Sequence, residues 1–341
     1  MKRYWKYLLA AGAVILLAAL YLSHFYAARE AERELDRTLR NWVADSNPDA
    51  GIQFSGVEIH PFSGTLDIHD LHIFTDRHLQ RGALMRFRLG YPMFLRMYFG
   101  DPSTVLDRQL SLRAHLENIS WLDRYRLREV SFDTLELDYR GNPADLLRNI
   151  LRDSPLAATQ ELLARGRGFG WSEPYMDWGS VRADSLRLRR DIPVGSSSLW
   201  SAGDLELELN DLTWRMPDRF ISTYSFFLRG FDYTGQTMPL QSFHGRMSYA
   251  EDSGRLNLRQ MRLRSEHVRM ELSGEMELRE PAGSTSLEGL RLLLSDFSPR
   301  FRNVLEGMNR LLRLNLSTGE DSVWVPLGGT LGSPSLPTRQ N

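Results

Sequence analysis

One apolar figure recurs along this chain and limits what it can fold into. In Val57 to Ile73, VEIHPFSGTLDIHDLHI, apolar residues stand at Leu66, Ile68, Leu71 and Ile73: an alternating pair, a slip of one residue, then a second pair. Side chains alternate faces along an unbroken strand, so the slip would throw Leu71 and Ile73 onto the other face. One extra residue in a β-bulge at His69-Asp70 returns all four to one face. The same i, i+2, i+5, i+7 spacing occurs at Ile52/Phe54/Val57/Ile59, Ala114/Leu116/Ile119/Trp121 and Val130/Phe132/Leu135/Leu137. It returns at Val181/Ala183/Leu186/Leu188, Leu207/Leu209/Leu212/Trp214 and Leu256/Leu258/Met261/Leu263. The slipped pair is small or polar nearly everywhere, as in Ser55-Gly56, Glu117-Asn118, Asp133-Thr134, Asp184-Ser185, Asn210-Asp211 and Arg259-Gln260. Kinked strands with one greasy face are the expected building unit.

From Gly51 onward the apolar period is two. Strands are expected at 52–59, 65–74, 83–91, 110–121, 127–139, 181–190, 204–215, 220–229, 243–250, 255–264, 267–279, 286–295 and 322–332, with Gly and Pro between them. Val268 to Leu278 alternates without a slip, and its polar face carries Arg269, Glu271, Glu275 and Glu277. One wet and one apolar face is the pattern of antiparallel sheets. Two helices are expected among the strands. Residues 142–165 open with a cap, Asn142, and a proline at the first helical position, and GRGFGWSEP then reads as a loop. Residues 298–314 open with Ser298-Pro299 and stripe Phe301, Val304, Leu305, Met308, Leu311 and Leu312 along one side. That helix reads as packed over the open face or end of the sheet; lying on an anionic membrane surface is the alternative.

The N-terminus reads differently. Leu8 to Leu22 has no charge and is edged by Tyr4, Trp5, Tyr7, Tyr21, Phe25 and Tyr26. With its aromatic edges it is about twenty residues, enough at ~1.5 Å each for a ~30 Å hydrocarbon core. The rival is a cleaved signal peptide, but the nearby small-residue site, Phe25-Tyr26-Ala27, is bulky for a peptidase. Lys2, Arg3 and Lys6 favour a cytoplasmic N-terminus, although Arg29, Arg33, Arg37 and Arg40 nearly balance them. Residues 27–45 continue as a charged helix, a stalk. The expected organisation is a tip and transmembrane anchor (1–27), a helical stalk (28–50), a first β segment (51–141), a helical insertion with loop (142–179), a second β segment (180–296), an amphipathic helix (297–315) and a terminal strand and tail (316–341).

Composition excludes much chemistry. Over 341 residues, 42 Lys plus Arg against 43 Asp plus Glu leave no basic footprint for nucleic acid. Lys2 and Lys6 are the sole lysines, so the part beyond the anchor has no P-loop, Schiff-base or Ser-x-x-Lys chemistry. With no cysteine there is no disulfide, thiol nucleophile or Cys-type zinc site. His60, His69, His72 and His78 lack the spacing of converging metal ligands, and surface histidines are the plainer account. Ser265-Glu266-His267 is contiguous and cannot form a triad within one strand. No enzyme, metal or cofactor is expected. Trp171, Tyr175 and Trp178 read as a plug on the apolar face, with a carbohydrate or headgroup platform as the alternative.

About a dozen strands with one apolar face must close as a sandwich or barrel, or curl around something apolar. Slips in register would bend the sheet into a trough, roughly 55–60 Å long at ~4.8 Å per strand. The segment Pro61-Phe62-Ser63-Gly64-Thr65-Leu66 followed by Asp70-Leu71 resembles the N-terminal signature of AsmA-like envelope proteins, the related DUF748 group among them. His60 stands where that signature usually has asparagine. The ending Gly328-Gly329-Thr330-Leu331 with Pro334 is similar to that of AsmA-like chains and of the N component of type II secretion systems. The resemblance covers residues 1–73 and the last twenty or so. It implies a mainly β fold, an N-terminal transmembrane helix followed by a strongly bent antiparallel groove, a periplasmic location, and a role in outer-membrane lipid homeostasis or assembly. It supplies no catalytic residues. This chain is shorter than a bridge between two membranes requires. The expected function is an inner-membrane-anchored groove that binds the acyl chains of a phospholipid and assists lipid transport or envelope biogenesis. Its expected lining is Ile68, Leu71, Leu116, Ile119, Leu135, Leu186, Leu209, Leu212, Leu258 and Met261. The alternative is a scaffold that holds envelope protein partners.

Overall fold

The computed structural model describes residues 51–60, 63–74, 78–88, 110–125, 127–142, 155–173, 179–196, 202–230, 233, 235–250, 253–279, 284–311, 321–331 and 333–335, with five helical positions between 29 and 37. The expected anchor, 1–27, lies outside them, as do most of the stalk, residues 143–154, Tyr175 and Trp178. Among the described residues no helix is long and apolar enough to cross a membrane.

The strands are β1 (Gly51–Gln53), β2 (Gly56–His60), β3 (Thr65–Phe74), β4 (His78–Arg88), β5 (Leu110–Asp123), β6 (Arg128–Gly141), β7 (Gln160–Ser172), β8 (Ser180–Ile192) and β9 (Gly203–Arg215). Helix α1 (Asp218–Gly230) follows, then β10 (Thr237–Ala250), β11 (Arg255–Arg264), β12 (Arg269–Glu277) and β13 (Leu290–Ser295). Helix α2 (Pro299–Leu311) precedes β14 (Ser322–Pro326), and β15 (Gly328–Thr330) pairs with β16 (Ser333–Ser335) in a separate ribbon. All strands from β1 to β14 belong to one antiparallel, 14-stranded sheet in chain order, with β1 and β2 sharing β3 as neighbour. The sheet curls without closing, since β1 and β14 do not meet.

The slips line up across the sheet, by a route other than the one expected. Between β3 and β4 the pairing runs His69↔Leu84 then Leu71↔Gly82, with no change of register. The same holds between β5 and β6 (Glu117↔Thr134, Ile119↔Phe132) and between β7 and β8 (Arg167↔Ser185, Phe169↔Ala183). Each strand slips opposite a slipped neighbour, so no residue is left extra and a straight crease crosses the sheet. Bulges with a register shift occur only in the pairings of β10 and β11 among the described strands. At β11 the cause is plain. Its neighbour β12 is the strand that alternates without a slip, so Arg259 and Gln260 have a single residue, Ser273, to oppose them between Leu258↔Gly274 and Met261↔Leu272.

The crease has its own residue code. Asp70 (φ 49°), Asn118 (φ 48°), Gly168 (φ 62°) and Asp211 (φ 51°) take the left-handed conformation, one on each of β3, β5, β7 and β9. Gly, Asn and Asp are the residues that enter this region at least cost. Ser55 begins the line, its N–H donating to the His69 carbonyl (3.0 Å) and its hydroxyl to Asp70 Oδ2 (2.8 Å).

Two expectations are corrected. Gln160–Ser172, expected as the end of a helix and a glycine loop, is strand β7. Its glycines have packing roles: a Cβ at Gly166 would lie 2.6 Å from Phe132, and one at Gly168 2.1 Å from Asp133. Residues 220–229, expected as a strand for their aromatic and β-branched content, form α1. Pro217 and Asp218 start that helix and Arg229 sits in its last turn, which outweighs strand propensity. Helix α2 agrees with expectation. Ser298 caps it by accepting from the Phe301 N–H (3.2 Å), and Leu305 and Phe301 pack on Val268, Leu294, Val323 and Val325. The helix thus covers the apolar face over β12–β14. It also meets α1, where Val304 approaches Gly230.

Candidate functional site

The apolar face is a set of cross-strand rows. One row starts at Val57 and passes through Ile68, Met85, Leu116 and Leu135 to Gly166 on β7. From Gly166 it continues through Leu186, Leu209, Phe243, Leu263, Met270 and Leu294 to Val323 on β14. No polar side chain interrupts it. Where the row lacks a Cβ, at Gly166, the Phe132 ring crosses the crease and fills the place. A parallel row, Phe87, Ala114, Leu137, Ala164, Leu188 and Leu207, lies farther from the crease. Across the crease runs a third, Leu71, Ile119, Phe132, Phe169, Ala183 and Leu212. Cross-strand apolar pairs of this kind each contribute about 0.2–1 kcal/mol beyond an alanine pair.

The structure places Ile68, Leu116, Leu135, Leu186 and Leu209 in the first row and Leu71, Ile119 and Leu212 across the crease. Met261 continues the Phe87 row through Gly245, and Leu258, three residues before it on β11, lies opposite Met247. Leu116 is 2% exposed, whereas Phe132, Leu135, Leu207 and Phe243 are half-buried. The packed clusters draw only on strands adjacent or near in sheet order: β4–β6, then β6–β11, joined by Phe132. A sandwich would mix side chains from distant strands, and none of these clusters does.

Sequence reasoning missed Arg190. It follows Leu186 and Leu188 in phase, so it falls on the apolar side, opposite Leu205 and Leu162, and is 4% exposed. Its guanidinium donates to the Ala202 carbonyl, and burial lowers its pKa against the pull of Asp204 and Asp191. The signal was legible: LRLRR continues the apolar phase into an arginine.

The opposite face is a lattice of charge. Arg86 grips Asp67 with two bonds, Nε–Oδ1 at 2.8 Å and Nη2–Oδ2 at 2.6 Å, and His60 stands 3.4 Å from the same carboxylate. Asp67 is 2% exposed, and the hydrogen bonds from Arg86 hold its carboxyl below the ordinary value although desolvation opposes them. Arg246 on Glu206 (2.8 Å) and Arg113 on Asp138 (3.0 Å) repeat the theme. A shallow concavity of about 930 Å³ lies on this face between Arg86 and Arg165. Its acids Glu136, Asp138 and Glu161 interleave with its arginines.

Among the described residues no three His, Asp or Glu side chains converge as metal ligands; His60 and His69 instead face Glu58 and, for His60, Asp67. The Ser265-Glu266-His267 stretch is a turn in which Ser265 Oγ accepts the N–H groups of His267 and Val268, while His267 Nδ1 meets Ser298 Oγ at 3.1 Å.

Compared with family models, curated proteins and solved structures, the chain matches none.

Proposed function

We propose that this chain is a single-pass inner-membrane protein whose periplasmic sheet binds phospholipid acyl chains along its apolar face and assists lipid transport or envelope biogenesis. One observation carries the reading: the apolar rows run uninterrupted over a sheet that curls but does not close, and among the described residues helices meet it at β12–β14, under α2, and at the end of β9, where Phe220 of α1 packs on Trp214. A face of this extent in water is a binding surface. At ~0.8 kcal/mol per buried methylene it would hold an acyl chain without a dedicated headgroup site. The apolar run at Leu8–Leu22 and the resemblance to AsmA-like proteins support the anchor and the compartment. No catalysis is proposed, because no residue constellation motivates it.

The test is native mass spectrometry of the full chain extracted from membranes. Bound phospholipid is expected in the wild type and lost in Leu209→Asp and in Leu258→Asp, with folding checked by circular dichroism. A folded wild-type protein that carries no lipid overturns the reading. The second reading, a scaffold for envelope proteins, is favoured by the outer edges of β1 and β14, which have no strand partner among the described residues, and by Trp324, which is 57% exposed on β14. Unpaired edges invite strand addition by a partner. Co-purification of one protein in fixed ratio, without lipid, would select it.

A further inference from the structure

The two rims of the sheet are not alike. On one rim lie the turns β3–β4, β5–β6 and β7–β8 and the α1 connection; the other carries the turns β4–β5, β6–β7, β8–β9 and β10–β11. Three features gather on the first. The apolar row nearest it is aromatic: Trp121, Trp171 and Trp214 sit on β5, β7 and β9 with Val130 and Val181 between them in register. Each tryptophan stands three residues after a left-handed crease residue, and they recur at about 10 Å, two strand spacings. Second, the β5–β6 tip exposes Tyr125 (69%) and Leu127 (44%). Buried Asp123 fixes that tip by accepting the Tyr125 N–H at 3.0 Å, and Leu127 holds φ 49°, where glycine or asparagine would be easier. Third, exposed Arg124 flanks the tip with exposed Glu129 beyond it, and Arg219 and Arg229 are exposed on α1 beside exposed Asp218. On the other rim exposed Val194 stands among Pro193, Asp191 and Asp204, and Leu278 is exposed just past β12.

We infer that the tryptophan rim is seated on the bilayer surface, with Tyr125 and Leu127 in the headgroup region and the arginines against anionic lipid. The inference rests on the anchored, lipid-binding reading above. Tryptophan and tyrosine collect at the membrane–water interface because each joins an apolar ring to a polar tip, and arginine adds attraction to anionic headgroups. Seated so, the mouth of the apolar face opens onto the membrane along the rim, and acyl chains enter across the tryptophan row.

The absence of cysteine makes the test direct, since Tyr125→Cys and Val194→Cys each carry one thiol. The full chain, labelled there with an environment-sensitive fluorophore, is reconstituted in vesicles of phosphatidylethanolamine and phosphatidylglycerol that contain a headgroup-proximal nitroxide lipid. The label at 125 is expected to be blue-shifted and quenched, and the label at 194 to be neither. Adding Leu127→Glu should remove the quenching at 125, and replacing phosphatidylglycerol by phosphatidylcholine should weaken it. If the chain floats with the vesicles while both labels behave alike, the seating is wrong and the anchored reading stands. If the chain does not float, the anchored reading fails and takes this inference with it.

Discussion

Phe132 and Gly166 form a tight residue-scale fit in the face: a ring on one strand occupies the place of the Cβ missing from the next. Gly166→Ala should destabilise the protein by about 1–3 kcal/mol through overpacking, and Phe132→Leu should recover part of that in the double variant. Denaturant midpoints of the two single variants and the double variant check this; additive losses would mean the two residues are uncoupled. At the crease, Asp211→Gly should cost little, whereas Asp211→Ala, with its Cβ at φ 51°, should cost about 1 kcal/mol. Asp67 gives a pH signature. Its carboxyl is held below its ordinary 3.8 by Arg86, so the ion pair stabilises the fold at pH values above 3.8 and is lost as pH falls through the folded value. The gap in melting temperature between wild type and Asp67→Asn should therefore be widest near neutrality and shrink below about pH 4. A gap independent of pH would remove the ion pair from the account. Residues of this kind were unevenly legible in the sequence. The phase of Leu116 or Leu186 could be read by counting, but Gly166 looked like loop because a glycine's partner, here Phe132, is invisible in one dimension.

Among the elements, the same contrast separates what was readable from what was not. Six of the seven slipped figures fall within single strands, the seventh spans β1 and β2 with Phe54 between them, and Ser298-Pro299 starts α2 as expected. β7 escaped notice because three of its positions, Gly166, Gly168 and Gly170, are glycine, leaving its apolar phase without side chains to show it. Helix α1 was hidden for the opposite reason: FISTYSFFLR is rich in strand formers, and the residues before it decide its state. The shared slip was half-legible. Its recurrence was on the page, but whether a neighbour slips too depends on pairing, and Ala83 on β4 gives no apolar signal. Removing the cap of α2 by Ser298→Ala should cost about 1 kcal/mol, measured by chemical denaturation. Leu305→Asp should do more, because Leu305 is 5% exposed against Val323 and Leu294. If Leu305→Asp is as stable as wild type, α2 is not part of the packed structure.

The molecule as a whole is held together strand by strand, each strand leaning mainly on its two neighbours. Such architectures open from their ends. Native-state hydrogen exchange should show the highest protection in β5–β9 and the lowest toward β1 and β14; uniform protection would point to a closed core instead. The crease has one more consequence. Because every strand from β3 to β9 turns at the same place, and because each hairpin brings its own left-handed residue and its own share of every row, the fold is extensible. Inserting another hairpin would lengthen the sheet by about 10 Å and leave its cross-section unchanged. Reach and bore are thus separate variables in a chain of this design. Gene duplication of a single hairpin would change one without disturbing the other.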